Sequence, residues 1–231
     1  MNTGGFAAER LRACALFARV PGPLLEQIGR SLRRRRFRRN EVVFHQGDPG
    51  DSLHIIAEGA VKIVLPSAEG EEAIIATLRV GDFFGELALL DGAPRSATVT
   101  ALEPTETLVL PRDVFHDLLD RDASLREALL AGVAAELRRL TGQVEELHFL
   151  DLAGRLSMRL VRLARDVEPA ATGEVRLDWP FTQSDLAAMI GGTRQSVNKL
   201  LVDLVHDGLL RVDRDTLVIR DIDELERRAE R

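Results

Sequence analysis

The sequence predicts an α+β protein in three parts: an amino-terminal β sandwich or barrel, a long helix, and a carboxy-terminal winged helix-turn-helix. Three observations carry this. The apolar period is two from Glu41 to about Arg112 and becomes helical after Pro111. One helical stretch places its apolar residues alternately three and four apart. Residues 181–201 combine a capping signal, a glycine turn and two apolar helical faces.

The 231 residues allow one large domain or two ordinary ones. With 45% hydrophobic and 29% charged residues the composition is globular. The single Cys14 excludes an internal disulfide, a thiolate zinc cage and a cysteine-ligated cluster, and fits a reducing cytoplasm. Apolar stretches are broken by charge every few residues, so neither a membrane span nor a signal peptide is expected. The net charge is -6, and residues 150–231 hold 13 basic against 15 acidic residues. Nucleic-acid binding must therefore be argued from local pattern rather than bulk charge.

Leu11, Cys14, Leu16, Leu24, Leu25, Ile28 and Leu32 recur at helical spacing around the breaker Pro21-Gly22-Pro23, which predicts two short helices. From Arg33 to Arg39 six of seven residues are arginine. This is read as an exposed strand with solvated arginines, the alternative being a patch for nucleic acid or anionic lipid. Short apolar runs follow (Val42 and Phe44; Ile55; Val61, Ile63 and Leu65; Ile74, Ala76 and Leu78; Val99; Leu108 and Leu110). Turn signals separate them at 47–51, 58–59, 67–70, 81–82 and 91–92.

Beyond Pro111, Leu130, Val133, Leu137, Leu140, Val144 and Leu147 lie on one narrow stripe, the seam of a two-stranded coiled coil. A parallel homodimer is expected, the alternative being that the stripe packs on the chain's own β domain. A further helix is expected over 152–165, a short strand at 175–177, and domain boundaries giving 1–122, 123–150 and 151–231.

The segment FTQSDLAAMIGGTRQSVNKLL begins with Thr182 and Asp185 at capping-box spacing. Ala187 permits close helix crossing, Gly191 allows a turn with positive φ, and Val197, Leu200 and Leu201 bury the second helix. In such a motif the start of the second helix meets the major groove. Arg194 offers a fork for guanine, Gln195 can pair with adenine, and Thr193, Ser196 and Lys199 can reach phosphates or base edges. Two runs, 209–212 and 217–219, around Asp213, Arg214 and Asp215 read as a wing.

Four segments in order, GDPGDSLHIIAEGAVKI from Gly47, GDFFGELALLDGAPRSATV from Gly81, HFLDLAGRL from His148 and the helix-turn-helix, resemble the CRP/FNR family of bacterial transcription regulators. The resemblance covers about Leu16 to Ile219 and implies a double-stranded β-helix barrel of the cyclic-nucleotide-binding type. It further implies cyclic AMP as allosteric effector with no other cofactor, a pseudo-palindromic double-stranded DNA operator, and RNA polymerase as a partner. Residues 84–97 resemble the family's phosphate-binding cassette. It implies ligand contacts at Gly85, Glu86, Leu87, Arg95, Ser96 and Ala97, and at Thr141 across the dimer. Gly85 lets the backbone approach, Glu86 accepts from a ribose hydroxyl, and Arg95 and Ser96 hold the cyclic phosphodiester, helped by amides of a short helix near Glu86. From spacing alone, Glu86 and Arg95 could equally be a partly buried ion pair.

Three positions depart from the family pattern. Leu140 stands where cyclic AMP-responsive relatives place one of two polar adenine contacts, Gln195 replaces a glutamate, and the wing is acidic. The histidines at 45, 54, 116, 148 and 206 form no cluster, leaving only His148 as a candidate for coupling or pH sensitivity. A cupin-type enzyme would need converging metal ligands that the pattern does not offer, no catalytic motif is found, and no metal is expected. A nucleotide-binding module of a kinase or channel leaves the helix-turn-helix unexplained.

Overall fold

The computed structural model describes residues 3–213 and 216–229. These fall into two compact units, one ending at Leu137 and the other beginning at Arg138. One long helix supplies its first half to one unit and its second half to the other.

The first unit opens with α1 (Thr3–Ala13), a short 3-10 turn (Ala15–Phe17) and α2 (Gly22–Ser31), with Pro21 as the N-cap residue that starts α2. Eight strands follow: β1 (Arg33–Phe37), β2 (Val42–Phe44), β3 (Ser52–Glu58), β4 (Ala60–Pro66), β5 (Glu72–Arg79), β6 (Phe83–Phe84), β7 (Thr98–Ala101) and β8 (Thr105–Pro111). The short α3 (Leu87–Asp91) sits between β6 and β7, and α4 (Arg112–Arg121) and α5 (Ala123–Phe149) come after β8.

The strands form two antiparallel four-stranded sheets, ordered β1-β8-β3-β6 and β2-β7-β4-β5. The expected barrel is therefore a jelly-roll-like pair of sheets rather than a closed one, because among the described residues no ladder joins the edges of one sheet to those of the other. Phe37, Ile56 and Phe84 from the first sheet meet Val43, Val61, Val99 and Ala101 from the second in a shared apolar layer.

The period of two fails at β3, where Ser52 to Ala57 are all buried. Leu53, Ile55 and Ala57 join Leu11, Phe17, Leu25, Phe115, Leu125 and Leu129 in a second core beneath the helices. A strand covered on both faces has no solvent side to carry polar residues.

The arginine run forms the edge strand β1, as expected, but its arginines are not all merely solvated. Arg34 and Arg36 donate from Nε to the two carboxylate oxygens of Glu106 on β8, at 2.6 and 2.7 Å, and Arg35 lies over the Phe37 ring at 5.2 Å. Glu106 is buried beneath them, its carboxyl held below the usual range: burial pushes it up, and the bonds from Arg36 and Arg34 outweigh that. A charged, paired edge is also poorly suited to pairing with another strand.

The second unit holds the rest of α5, then α6 (Leu152–Val167), β9 (Val175–Asp178), α7 (Gln183–Ile190), α8 (Arg194–His206), β10 (Leu210–Val212), β11 (Thr216–Ile219) and α9 (Ile222–Ala229). Asp151 caps α6 by accepting from the Gly154 amide at 2.7 Å. The expected strands assemble in the order β10-β11-β9. Helix α9 was not anticipated, although Ile222, Leu225 and Ala229 are spaced three and four apart and bury that face against α6. Two wing residues, Arg214 and Asp215, lie outside the described residues.

Candidate functional site

The cassette expected at 84–97 folds as strand β6, a glycine turn, the five-residue α3 and an extended return to β7. Gly85 has φ +88, and a Cβ there would stand 2.5 Å from Nη1 of Arg95. Gly50 is equally constrained, since its Cβ would meet that of Ala88 at 2.3 Å. The backbone stitches the two glycine-rich loops together: the Gly47 amide donates to the Arg95 carbonyl, and the Arg95 amide to the Asp48 carbonyl, both at 2.9 Å. Residues 47–51, which the sequence marks as a turn and as the start of a family motif but not as ligand contacts, thus form one wall of the site. Arg112 secures that wall by donating to the Gly50 and Ala88 carbonyls.

Arg95 is only 4% exposed. Nη1 donates to the Gly85 carbonyl at 2.7 Å and Nη2 to the Ser52 carbonyl at 2.9 Å. The guanidinium lies over the Phe44 ring, 4.2 Å from its centroid. Nε is buried without a hydrogen-bond partner. Among the described residues its one ion contact within 4.0 Å is Asp51, at 3.8 Å, whose side chain is 89% exposed, and the Glu86 and Asp48 carboxylates act on it from farther away. No Glu86–Arg95 ion pair closes within 4.0 Å, so the simple ion-pair reading is not what forms among the described residues. Glu86 stands at the N-cap position of α3 with no side-chain cap bond, and its carboxyl is pushed up, first by burial and also by the Glu136 carboxylate of α5, while its own backbone amide and Arg95 pull it down. Ser96 and Leu87 are exposed and Ala97 is buried, so the cassette presents a hydroxyl and an apolar side chain around a buried cation.

Sequence reasoning missed the ring cluster around Arg95. His54, on β3, stacks on Phe84 at 5.0 Å and meets Phe44 edge-on at 5.9 Å, with Nδ1 3.2 Å from the Thr107 hydroxyl. Burial, then Arg95 and Arg35, lower its pKa to about 3, so the ring is neutral. The signal was an alternation in which Ser52, His54 and Ile56 share one face of β3. Among the described residues no group of three His, Cys, Asp or Glu could hold a metal ion.

In the second unit the capping box is present in full: Thr182 accepts from the Asp185 amide at 3.1 Å, and Asp185 accepts from the Thr182 amide at 2.9 Å. Gly191 takes φ +67 and turns the chain into α8. Thr193 caps α8 by accepting from the Ser196 amide at 3.1 Å, and the two hydroxyls are 2.9 Å apart. Those two residues therefore build the helix start, while Arg194, Gln195 and Lys199 stand exposed on its surface. Asn198, not anticipated, is exposed one turn after Arg194 and accepts from Gln183 Nε2 at 2.8 Å.

Along α5, Leu130 is 69% exposed, Leu137 66%, Leu147 56% and Val144 54%; Val133 is also exposed and Leu140 half-buried. The part of the stripe in the first unit, Leu130, Val133 and Leu137, is therefore not covered by the β domain, against which Leu125 and Leu129 pack from another face. Thr141 is exposed in the second unit. His148 Nδ1 lies 2.9 Å from the Val144 carbonyl. No helix among the described residues is long and apolar enough to cross a membrane.

Comparison with known proteins matches residues 34–122 to the cyclic nucleotide-binding domain family and residues 154–228 to the Crp-like helix-turn-helix domain family. The chain is 31% identical to the CRP-like cAMP-activated global transcriptional regulator of Mycobacterium tuberculosis, over 96% of this chain and 99% of that one. It is 31% identical to the cyclic AMP receptor protein of Thermus thermophilus, over 84% and 86% respectively. Its fold matches FixK2 of Bradyrhizobium japonicum with a TM-score of 0.76 at 22% identity, covering 85% of this chain and 96% of that one. A TM-score of 0.74 at 24% identity links it to the c-di-GMP responsive regulator CLP of Xanthomonas campestris, covering 87% and 99%.

Proposed function

Since the chain belongs to the CRP/FNR family of bacterial transcription regulators, which are not enzymes, we propose that it acts in the cytoplasm as a homodimer gripping a pseudo-palindromic DNA operator under the control of cyclic AMP. The observation that carries the ligand half is Arg95. A buried guanidinium costs several kcal/mol unless a counter-charge meets it, and among the described residues the one carboxylate within 4.0 Å of it is largely in water. A cyclic phosphodiester entering over Gly85 supplies that charge, with Ser96 adding a donor. Glu86 accepts from the ribose hydroxyl, Leu87 and Ala97 offer apolar contact, and Thr141 hydrogen-bonds the base from the partner subunit.

In the DNA half, Arg194 and Gln195 read base edges while Lys199, Thr193 and Ser196 hold phosphates or base edges. The seam Leu130, Val133, Leu137, Leu140, Val144 and Leu147 pairs two copies, which sets two recognition helices about 34 Å apart. Ligand contacts at the seam bias it between two arrangements, and differential binding to those arrangements is the allosteric coupling. RNA polymerase is the partner through which the regulator acts.

Calorimetric titration with cyclic AMP and cyclic GMP tests this. Micromolar, stoichiometric binding of cyclic AMP is expected, and Arg95→Ala or Glu86→Ala should abolish it, the former costing about 3 kcal/mol or more. Unchanged binding by Arg95→Ala would overturn the proposal. Leu140 favours a second reading, a regulator of the same fold that works without nucleotide or answers another small anion; equal operator affinity with and without cyclic AMP would select it.

A further inference from the structure

We infer that Phe44 is a positioning residue for Arg95: its ring face holds the guanidinium in place, so that its uncommitted N–H donors are kept in position for an incoming anion. This rests on the reading of Arg95 given above and adds a residue outside the cassette. Phe44 ends β2, in the other sheet from the strand that precedes the cassette. The guanidinium is fixed on two of its three nitrogens by main-chain carbonyls, those of Gly85 and Ser52. Such contacts set where the head group sits, but leave its plane free to tip about the Nη1–Nη2 line. The Phe44 face, 4.2 Å away, removes that freedom.

The ring is itself held on two sides. Phe84 lies 5.8 Å from it, tilted, and His54 meets it edge-on at 5.9 Å while stacking on Phe84. Phe84 immediately precedes Gly85, so the chain of rings returns to the residue whose carbonyl binds Nη1. Nε is left buried with no protein acceptor. An aromatic face attracts a cation without consuming a hydrogen-bond donor or neutralising charge. It therefore stabilises a buried cation while leaving its uncommitted N–H donors, Nε–H among them, and its charge available to an anionic ligand. A carboxylate in the place of Phe44 would fix Arg95 equally well and compete with that ligand.

The test uses the full chain with Phe44→Leu, and with Phe44 replaced by pentafluorophenylalanine, which keeps the ring's shape and inverts its electrostatics. Cyclic AMP is the titrant, and the Arg95 Nε–H resonance of the unliganded protein is a second readout. Both variants should bind cyclic AMP more weakly by roughly two- to thirtyfold, the range of a cation-π contact at an exposed to a desolvated site. The Nε–H resonance should lose its ring-current shift in Phe44→Leu. If Phe44→Leu is poorly folded by its thermal midpoint, the fluorinated protein decides. Wild-type affinity in the fluorinated variant, or an Nε–H resonance unmoved by Phe44→Leu, overturns the inference alone. Failure of the unaltered protein to bind cyclic AMP overturns the underlying reading, and the unliganded resonance still judges the stack.

Discussion

His54 shows how much a single side chain can be altered by its neighbours. In the sequence it is one of five scattered histidines. In the fold it lies 2% exposed between Phe44 and Phe84, and its pKa falls to about 3. The unfolded ring titrates near 6.5, so between about pH 6.5 and 3 the unfolded chain binds a proton that the folded one refuses. Stability from this group is therefore full above pH 6.5 and falls with decreasing pH, by up to about 1.4 kcal/mol per pH unit. Urea unfolding of wild type and His54→Phe between pH 7 and 5 measures this. The variant should lose less stability per pH unit, and parallel slopes would show that the buried ring is not responsible. The type of residue at 54 is legible in the sequence, but its protonation is not, because desolvation comes from atoms distant along the chain.

At the scale of elements, local signals performed well where helices start. Thr182 and Asp185 predicted the capping box that forms, and Gly191 the left-handed turn that follows it. Thr193 was read as a DNA contact, yet its hydroxyl first serves α8 by accepting from the Ser196 amide. Thr193→Ala should cost about 1 kcal/mol of stability in the second unit, while Thr193→Ser should cost little; thermal unfolding of the two variants distinguishes them. A full loss in Thr193→Ser as well would show that the methyl group, not the cap, matters. Elements were misread where tertiary partners override local pattern. The β3 alternation vanishes because helices cover its outer face. The arginines of β1 are partly tied to Glu106, which lies some seventy positions away in sequence.

For the whole molecule, the exposed stripe on α5 sets the expected assembly. Large apolar residues in a narrow row are rarely left to water, and their three and four spacing fits a second copy of the same helix. Leu137→Glu should therefore convert the proposed dimer to monomer in sedimentation velocity and weaken operator binding by a hundredfold or more, because two half-sites are no longer engaged together. A wild-type protein that sediments as a monomer at micromolar concentration would count against the proposed assembly.

What the sequence determined by itself was everything that repeats or is local: the change from period two to period 3.6, the glycine turns, the helix caps, the stripe on α5, and the motif order that placed the chain in its family. These depend on residues near one another in the chain, where backbone sterics and helical or strand geometry act directly. Only the tertiary structure decided that two facing sheets form instead of a closed barrel, that residues 47–51 stand against the cassette, and that Arg95 is buried on Phe44 with its nearest carboxylate, Asp51, 3.8 Å away. Burial and electrostatic environment are properties of three-dimensional neighbours, and those neighbours come from strands that the sequence separates by as many as some seventy residues.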